Sequence, residues 1–224
     1  MRENVPRTSK KRESSIVRQE QIIDAAQKLI LRNGSEHVTI RRIAKEVGIS
    51  EGAIYRHFKS KSDIFCLLLD NVGETLLGDI ESSIIPNGTA IESLSNIMST
   101  QLAAISKRHG MSFQIIAEVI SLGDKKLNRQ LADIMNKYLV RIKNLLAQGV
   151  ESGVISEGID PAAAALLFFG MVESISNYWT LNNYKFELEE KARPMWDIFQ
   201  KAVTKNAVES SANIVVEAEA EIRS

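Results

Sequence analysis

Thr39-Ile40-Arg41-Arg42-Ile43-Ala44-Lys45-Glu46-Val47-Gly48-Ile49-Ser50-Glu51-Gly52-Ala53-Ile54-Tyr55-Arg56-His57-Phe58 is the stretch that decides the fold. Ile40, Ile43, Ala44 and Val47 recur at helical spacing behind Thr39, whose hydroxyl suits a helix start, and Gly48 can take the positive φ that ends the helix. Two residues on, Ser50 is the natural cap of a second short helix, from Glu51 to about His57. Ala44 is small where the helices must cross, and Ile49, Ile54 and Phe58 supply a small core. Two short helices meeting at a glycine turn and braced by a preceding helix make a helix-turn-helix, which sets its second helix in the DNA major groove. Glu51, Gly52, Ala53, Tyr55, Arg56 and His57 are left facing outward, and they are mostly small or hydrogen-bonding, as close approach to base edges and phosphates requires.

The bracing helix is expected from about Ile16 to Asn33, with Ser14 or Ser15 as cap and Ile22, Ala26, Leu29 and Ile30 as its apolar stripe. Downstream, Ser60 and Asp63 stand at capping-box spacing ahead of Ile64, Leu68, Val72 and Leu76. Pro86-Asn87-Gly88 breaks that helix, and Thr89 starts another that runs to about Lys107. A shorter helix spans about Ser112–Leu122. After Asp124 a long one places Leu127, Leu131, Ile134, Tyr138 and Ile142 on one face and closes at Gly153. Asp160-Pro161 opens a helix to about Leu181 that is apolar on more than one side, and a last helix covers about Phe186–Ala207, where Pro194 either kinks it or delays its start. Ile214-Val215-Val216 can prolong it. No stretch alternates as a strand does, so the fold is read as all-α.

Composition narrows the function. The chain has 224 residues, 44% of them hydrophobic and 25% charged, enough for a sizeable core. Cys66 is the single cysteine, which excludes an intramolecular disulfide and a cysteine-based zinc site within one chain. The apolar run Ala162–Phe169 is far short of the roughly 18 residues of a membrane span, and no apolar segment follows the basic N-terminal residues as in a signal peptide. A cytoplasmic protein without membrane contact is expected. His37, His57 and His109 are scattered, no metal-ligand spacing, P-loop or G-x-S-x-G elbow occurs, and Glu118 and Glu173 lack the spacing of an acid/base pair. An enzyme is therefore not expected, nor a metal or cofactor. Net charge is zero, yet residues 1–64 carry 14 Lys and Arg against 8 Asp and Glu, and the remainder 14 against 20. A basic end joined to an acidic remainder fits a chain that meets phosphates at one end.

Gly34, Thr39, Ile43-Ala44, Gly48-Ile49-Ser50, Gly52, Ile54-Tyr55, His57-Phe58, Lys61 and Ile64 closely resemble the N-terminal signature of the tetracycline-repressor (TetR) family of transcriptional regulators, over about residues 16–65. The resemblance implies a helix-turn-helix DNA-binding domain over 14–60 and a helical effector-binding and dimerisation domain over 61–208, between a basic flexible arm at 1–13 and a C-terminal tail at 209–224. It implies that Thr39 and Tyr55 bind phosphates, that His57 and Lys61 lie near the DNA backbone, and that Arg41, Glu51, Ala53 and Arg56 read sequence, with Arg42, Ser50 and Gly52 completing the contact surface. The partners it implies are a palindromic double-stranded operator, a second copy of the chain and a small-molecule effector, hydrophobic or amphipathic. Lys10, Lys11 and Arg12 either add DNA contacts or form a solvated tail.

Met98, Gln101, Met111, Phe113, Gln114, Glu118, Met135, Tyr138, Met171, Glu173, Asn177 and Tyr178 are the candidates to line an effector cavity, since Met, aromatic and amide linings suit hydrophobic ligands with a few polar handles. Each of them is also an ordinary core residue type. Leu166, Phe169, Val172, Ile175, Trp179, Trp196, Phe199 and Val203 of the last two helices are the expected dimer contacts. The resemblance implies a repressor that its effector releases from DNA. A nucleoid-associated or cell-division factor binding many chromosomal sites without an effector is the alternative.

Overall fold

The computed structural model describes residues 7–204, with residues 7–14 and Glu36 described as backbone only. Among these residues the architecture is all-helical: α1 (Arg7–Asn33), a 3-10 turn (Ser35–His37), α2 (Ile40–Val47), α3 (Glu51–Ile54), α4 (Lys61–Ser83), α5 (Ala90–Lys107), α6 (Met111–Leu122), α7 (Lys125–Glu151), α8 (Pro161–Leu181) and α9 (Leu188–Val203). The single β pairing among them is an isolated bridge between Ile155 and Thr204.

The local signals act as chain chemistry dictates. Gly48 ends α2 at φ 77° and ψ 33°, and its N–H reaches the carbonyl oxygens of Ala44 and Lys45. The N–H of Asp63 donates to Ser60 Oγ at 3.2 Å while the Ser60 N–H donates to Asp63 Oδ2 at 3.1 Å, so a capping box opens α4. A second one, Thr89 with Glu92, opens α5. Asp160 accepts from the Ala162 N–H at 2.9 Å, with Pro161 first in α8.

Three boundaries differ from the sequence expectation. Helix α1 begins at Arg7, so Ser14 and Ser15 lie inside it and not at its start: Arg7–Glu13 contains no Gly or Pro, and its Lys, Arg and Glu residues are good helix formers. Helix α3 is shorter than expected, and Tyr55–His57 form a turn after it. Pro194 lies within α9, whose start is Leu188. Residues 1–6 of the expected arm, the side chains of Lys10, Lys11 and Arg12, Ala207 and Ile214-Val215-Val216 lie outside the described residues.

The chain divides into two compact units. The first runs to Gly73 and takes in Met111–Ala132; it holds the helix-turn-helix, α6 and the beginnings of α4 and α7, and so extends beyond the 14–60 stretch. Helices α1 to α3 alone bury little surface, and this unit adds Ile64, Phe65, Leu68, Ile115, Val119 and Leu127 to the buried Ile22, Ile30, Ile43 and Ile54. The second unit comprises Glu74–Gly110 and the chain from Asp133 onward. Its core includes Leu94, Ile97, Ile142, Leu146, Phe168 and Phe199, and α5 packs on both α8 and α9. Gly149 on α7 permits a close approach there, since a Cβ would stand 2.5 Å from Ile155 Cδ1 and 2.9 Å from Ala90 Cβ. Asn183 (φ 54°) and Tyr184 (φ 61°) turn the chain sharply after α8. Trp179 secures that turn by donating Nε1–H to the Phe186 carbonyl at 2.8 Å.

Candidate nucleic-acid interface and interior polar sites

The helix-turn-helix turns its apolar residues inward and its hydrogen-bonding residues outward. Ile43 and Ile54 are fully buried, Ala44 and Phe58 nearly so, and Ile49 is half-buried. Thr39, Arg41, Arg42, Ser50, Glu51, Gly52, Tyr55 and Arg56 are exposed, whereas Ala53, His57 and Lys61 are half-buried. Thr39 Oγ1 accepts from the Arg42 N–H at 3.2 Å and Ser50 Oγ from the Ala53 N–H at 3.2 Å. Each hydroxyl thereby caps a helix with its oxygen and keeps its own hydrogen as a donor. Arg42 is steadied by a 3.2 Å hydrogen bond to the His37 carbonyl, and His57 Nδ1 lies 3.3 Å from Ser15 Oγ on α1.

Lys61 and Glu118, placed at different sites by the sequence, are brought together. Lys61 Nζ donates to Glu118 Oε1 at 2.6 Å and lies 5.2 Å from the Phe65 ring centroid. With side-chain exposures of 26% and 10%, the pair is largely sheltered from water, so its attraction is screened less than a surface pair's. The ion pair ties the first residue of α4 to α6. Asp124, which caps α7, is held below the usual carboxylate range first by the Ser62 hydroxyl and then by the Leu127 and Lys126 N–H groups.

The other expected effector residues fall into separate groups. Met111, Phe113 and Gln114 are half-buried residues of the first unit, on α6. In the second unit Met98, Gln101, Tyr138 and Met171 are buried, Met135 and Glu173 half-buried, and Asn177 and Tyr178 exposed. Gln101 and Tyr138 meet: the tyrosine hydroxyl donates to Gln101 Oε1 at 3.0 Å. Ser95, Met98, Ser99 and Leu102 of α5 with Glu189, Ala192, Arg193 and Trp196 of α9 line a groove of about 190 Å³. That is below the roughly 300 Å³ at which small-molecule sites begin. Apart from Met98, its α5 residues and its α9 polar residues carry no sequence signal, because about 90 positions separate the two helices.

Of the expected dimer contacts, Val172, Ile175, Trp179, Phe199 and Val203 are covered by the protein's own chain, and a buried side chain has little surface left for a second copy. Phe169 and Trp196 are half-buried. Leu166 is open, as are two neighbours that the sequence did not single out, Leu167 and Ile198; their exposures are 59%, 55% and 71%. Among the described residues no group of three or more His, Cys, Asp or Glu is placed to hold a metal, and no helix is long and apolar enough to cross a membrane.

An exposed polar helix-turn-helix on a helical body defines a DNA-binding regulator, and comparison with known proteins places it more narrowly. Residues 22–66 match the model of the bacterial regulatory proteins of the tetR family, and residues 70–202 that of the YsiA-like protein C-terminal region. The chain belongs to the TetR family of transcriptional regulators, with a YsiA-like C-terminal region. The family is non-enzymatic, and its members bind DNA operators and effector ligands. The chain is 30% identical over 168 residues to the fatty acid metabolism regulator protein of Bacillus subtilis (strain 168), covering 75% of this chain and 86% of that protein. It is 26% identical over 191 residues to the nucleoid occlusion factor SlmA of Vibrio atlanticus (strain LGP32), covering 83% and 95%. Among solved structures, the transcriptional regulator FadR of Bacillus subtilis in complex with stearoyl-CoA is similar with a TM-score of 0.68 and 28% identity, over 80% of this chain and 96% of that one.

Proposed function

We propose that the protein is a dimeric cytoplasmic repressor that reads a palindromic operator and is released from it by a long-chain acyl thioester. The observation that carries this reading is its 30% identity to a fatty acid metabolism regulator over 168 residues, 75% of the chain, a match too long to lie within the helix-turn-helix alone. The related FadR was solved with stearoyl-CoA, which supports that class of effector. Thr39 and Tyr55 grip phosphates, with Ser50, Gly52, His57 and Arg42 against the backbone. Arg41, Glu51, Ala53 and Arg56 read bases, since Arg forks onto guanine, Glu accepts from the cytosine amino group and Ala touches the thymine methyl. Leu166, Leu167 and Ile198, exposed on α8 and α9, are where a second copy docks. The effector shifts the protein toward a form that fits the operator poorly, by an amount equal to its differential affinity for the two forms.

The second reading, a chromosome-binding factor without an effector, is favoured by the 26% identity to SlmA across 83% of the chain. One experiment separates the two: purified protein is incubated with fragmented genomic DNA of its source, with and without stearoyl-CoA, and the retained fragments are sequenced. One or a few palindromic sites that stearoyl-CoA empties are expected. Many dispersed sites, indifferent to stearoyl-CoA, would overturn the repressor reading in favour of the second.

A further inference from the structure

The interior of the second unit contains a polar arrangement that packing alone does not account for. Gln101 on α5 and Tyr138 on α7 are each 1% exposed, and the tyrosine hydroxyl donates to Gln101 Oε1 at 3.0 Å. Phe169 of α8 meets the Tyr138 ring edge-on, with centroids 5.4 Å apart and planes at 70°. Burial pushes the phenol's pKa upward against the smaller opposing effect of the Gln101 hydrogen bond, so the hydroxyl stays protonated and stays a donor. The glutamine's acceptor end is thereby locked. Its amide nitrogen, fully buried, has no hydrogen-bond partner among the described residues.

A buried donor left unpaired costs the full desolvation of that group, whereas an apolar side chain of similar volume would cost nothing of the kind. A glutamine kept there with one end fixed and the other open is suited to a ligand acceptor. The surroundings say which acceptor. No residue that α5 buries is charged, and Tyr138 and Phe169 bring no charge. Among these groups a carboxylate would meet one neutral donor and no positive charge, whereas an uncharged carbonyl needs only the donor.

We infer that Gln101 Nε2 donates to the uncharged carbonyl oxygen of the effector, with Tyr138 as the positioning residue that fixes the amide. This rests on the acyl-thioester reading of the effector above.

The test compares stearoyl-CoA with S-octadecyl-CoA, the thioether in which a CH₂ replaces the carbonyl, by titration calorimetry on the full chain. The wild type is expected to bind the thioester roughly tenfold more tightly, the worth of one hydrogen bond to a buried donor. Gln101→Leu should bind the two ligands alike. Tyr138→Phe keeps the ring but frees the amide, and the preference should fall to about threefold. Equal binding of both ligands by the wild type, or an undiminished preference in Gln101→Leu, would overturn the assignment of Gln101 and leave the acyl-thioester reading standing. Binding of neither by the wild type would overturn that reading itself and this inference with it. Should Gln101→Leu not fold, Tyr138→Phe decides the assignment, and an undiminished preference in it would overturn the inference.

Discussion

Tyr55 exposes 52% of its surface and Tyr138 exposes 1%, and the two tyrosines stand for the two units that hold them. In the first unit the apolar side chains of α1 to α4 turn inward and leave Arg41, Tyr55 and Arg56 at the surface, where no packing of the core depends on them. In the second the polar side chains of interest are interior, so the same residues pack the core and present hydrogen-bonding groups within it. A DNA surface can therefore vary with little effect on stability, whereas changing the interior polar site disturbs the core around it.

The sharpest way to break this contrast is to truncate both tyrosines. Tyr138→Ala should lower unfolding stability by about 3–5 kcal/mol in urea titration, as loss of a buried aromatic does. Tyr55→Ala should change it by less than about 0.5 kcal/mol. Yet Tyr55→Ala should weaken operator binding about 100-fold or more by fluorescence anisotropy, since on the proposed reading each copy of a dimer would lose a phosphate contact. Comparable stability losses in the two variants would remove the distinction.

Glu118→Gln is expected to be milder, since the pair it disrupts is sheltered but not sealed. Urea unfolding should show a loss of about 1–3 kcal/mol, below the cost of breaking a fully buried pair, because Lys61 keeps 26% side-chain exposure. No measurable loss would mean that the ion pair does not hold α4 to α6. Smaller again is Asp160→Ala at the start of α8, where losing the cap to the Ala162 N–H should cost about 1 kcal/mol by the same measurement.

The smallest expected effect is a pH dependence at the start of α5. The backbone and then the side chain of Thr89 hydrogen-bond to Glu92 and hold its carboxyl below the ordinary value of 4.5. A carboxyl whose pKa is depressed in the folded state stabilises above its unfolded pKa, and that contribution is lost as pH falls through the folded value. Thermal melts in acid should therefore show a shallower decline below about pH 4.5 for Glu92→Gln than for the wild type, and identical curves would mean that the box adds nothing.

Most of the fold was legible because its signals act within a few residues. Thr39 caps the N–H of Arg42 and Ser50 that of Ala53, each three positions on. Gly48, Thr89 and Asp160 mark their helix boundaries in the same local way. Where the reading missed, the competing signal was also local: Ser14 and Ser15 are good cap types, but the chain before them lacks a breaker and stays helical. The candidate sites were less legible. Lys61 and Glu118, 57 positions apart, point to DNA and to effector separately in the sequence, and nothing in their context announces that they pair. The apolar character of α8 was plain, yet Val172, Ile175 and Trp179 turned out covered while Leu166 and Leu167 lie open, since a helix apolar all round does not declare which face its neighbours take.

The sequence by itself determined the order of the helices, the caps at Thr39, Ser50, Ser60, Thr89 and Asp160, the helix-turn-helix and the family to which the chain belongs. Each of these depends on backbone hydrogen bonds and apolar spacings that close within about a turn of helix. Only the tertiary structure decided that Glu118 holds Lys61, and that Gln101 spends its oxygen on Tyr138 and leaves its nitrogen unpaired. The physical reason is that a polar side chain's role is set by whichever group reaches it across the fold, and α5, α6 and α7 bring theirs from 37 to 57 residues away.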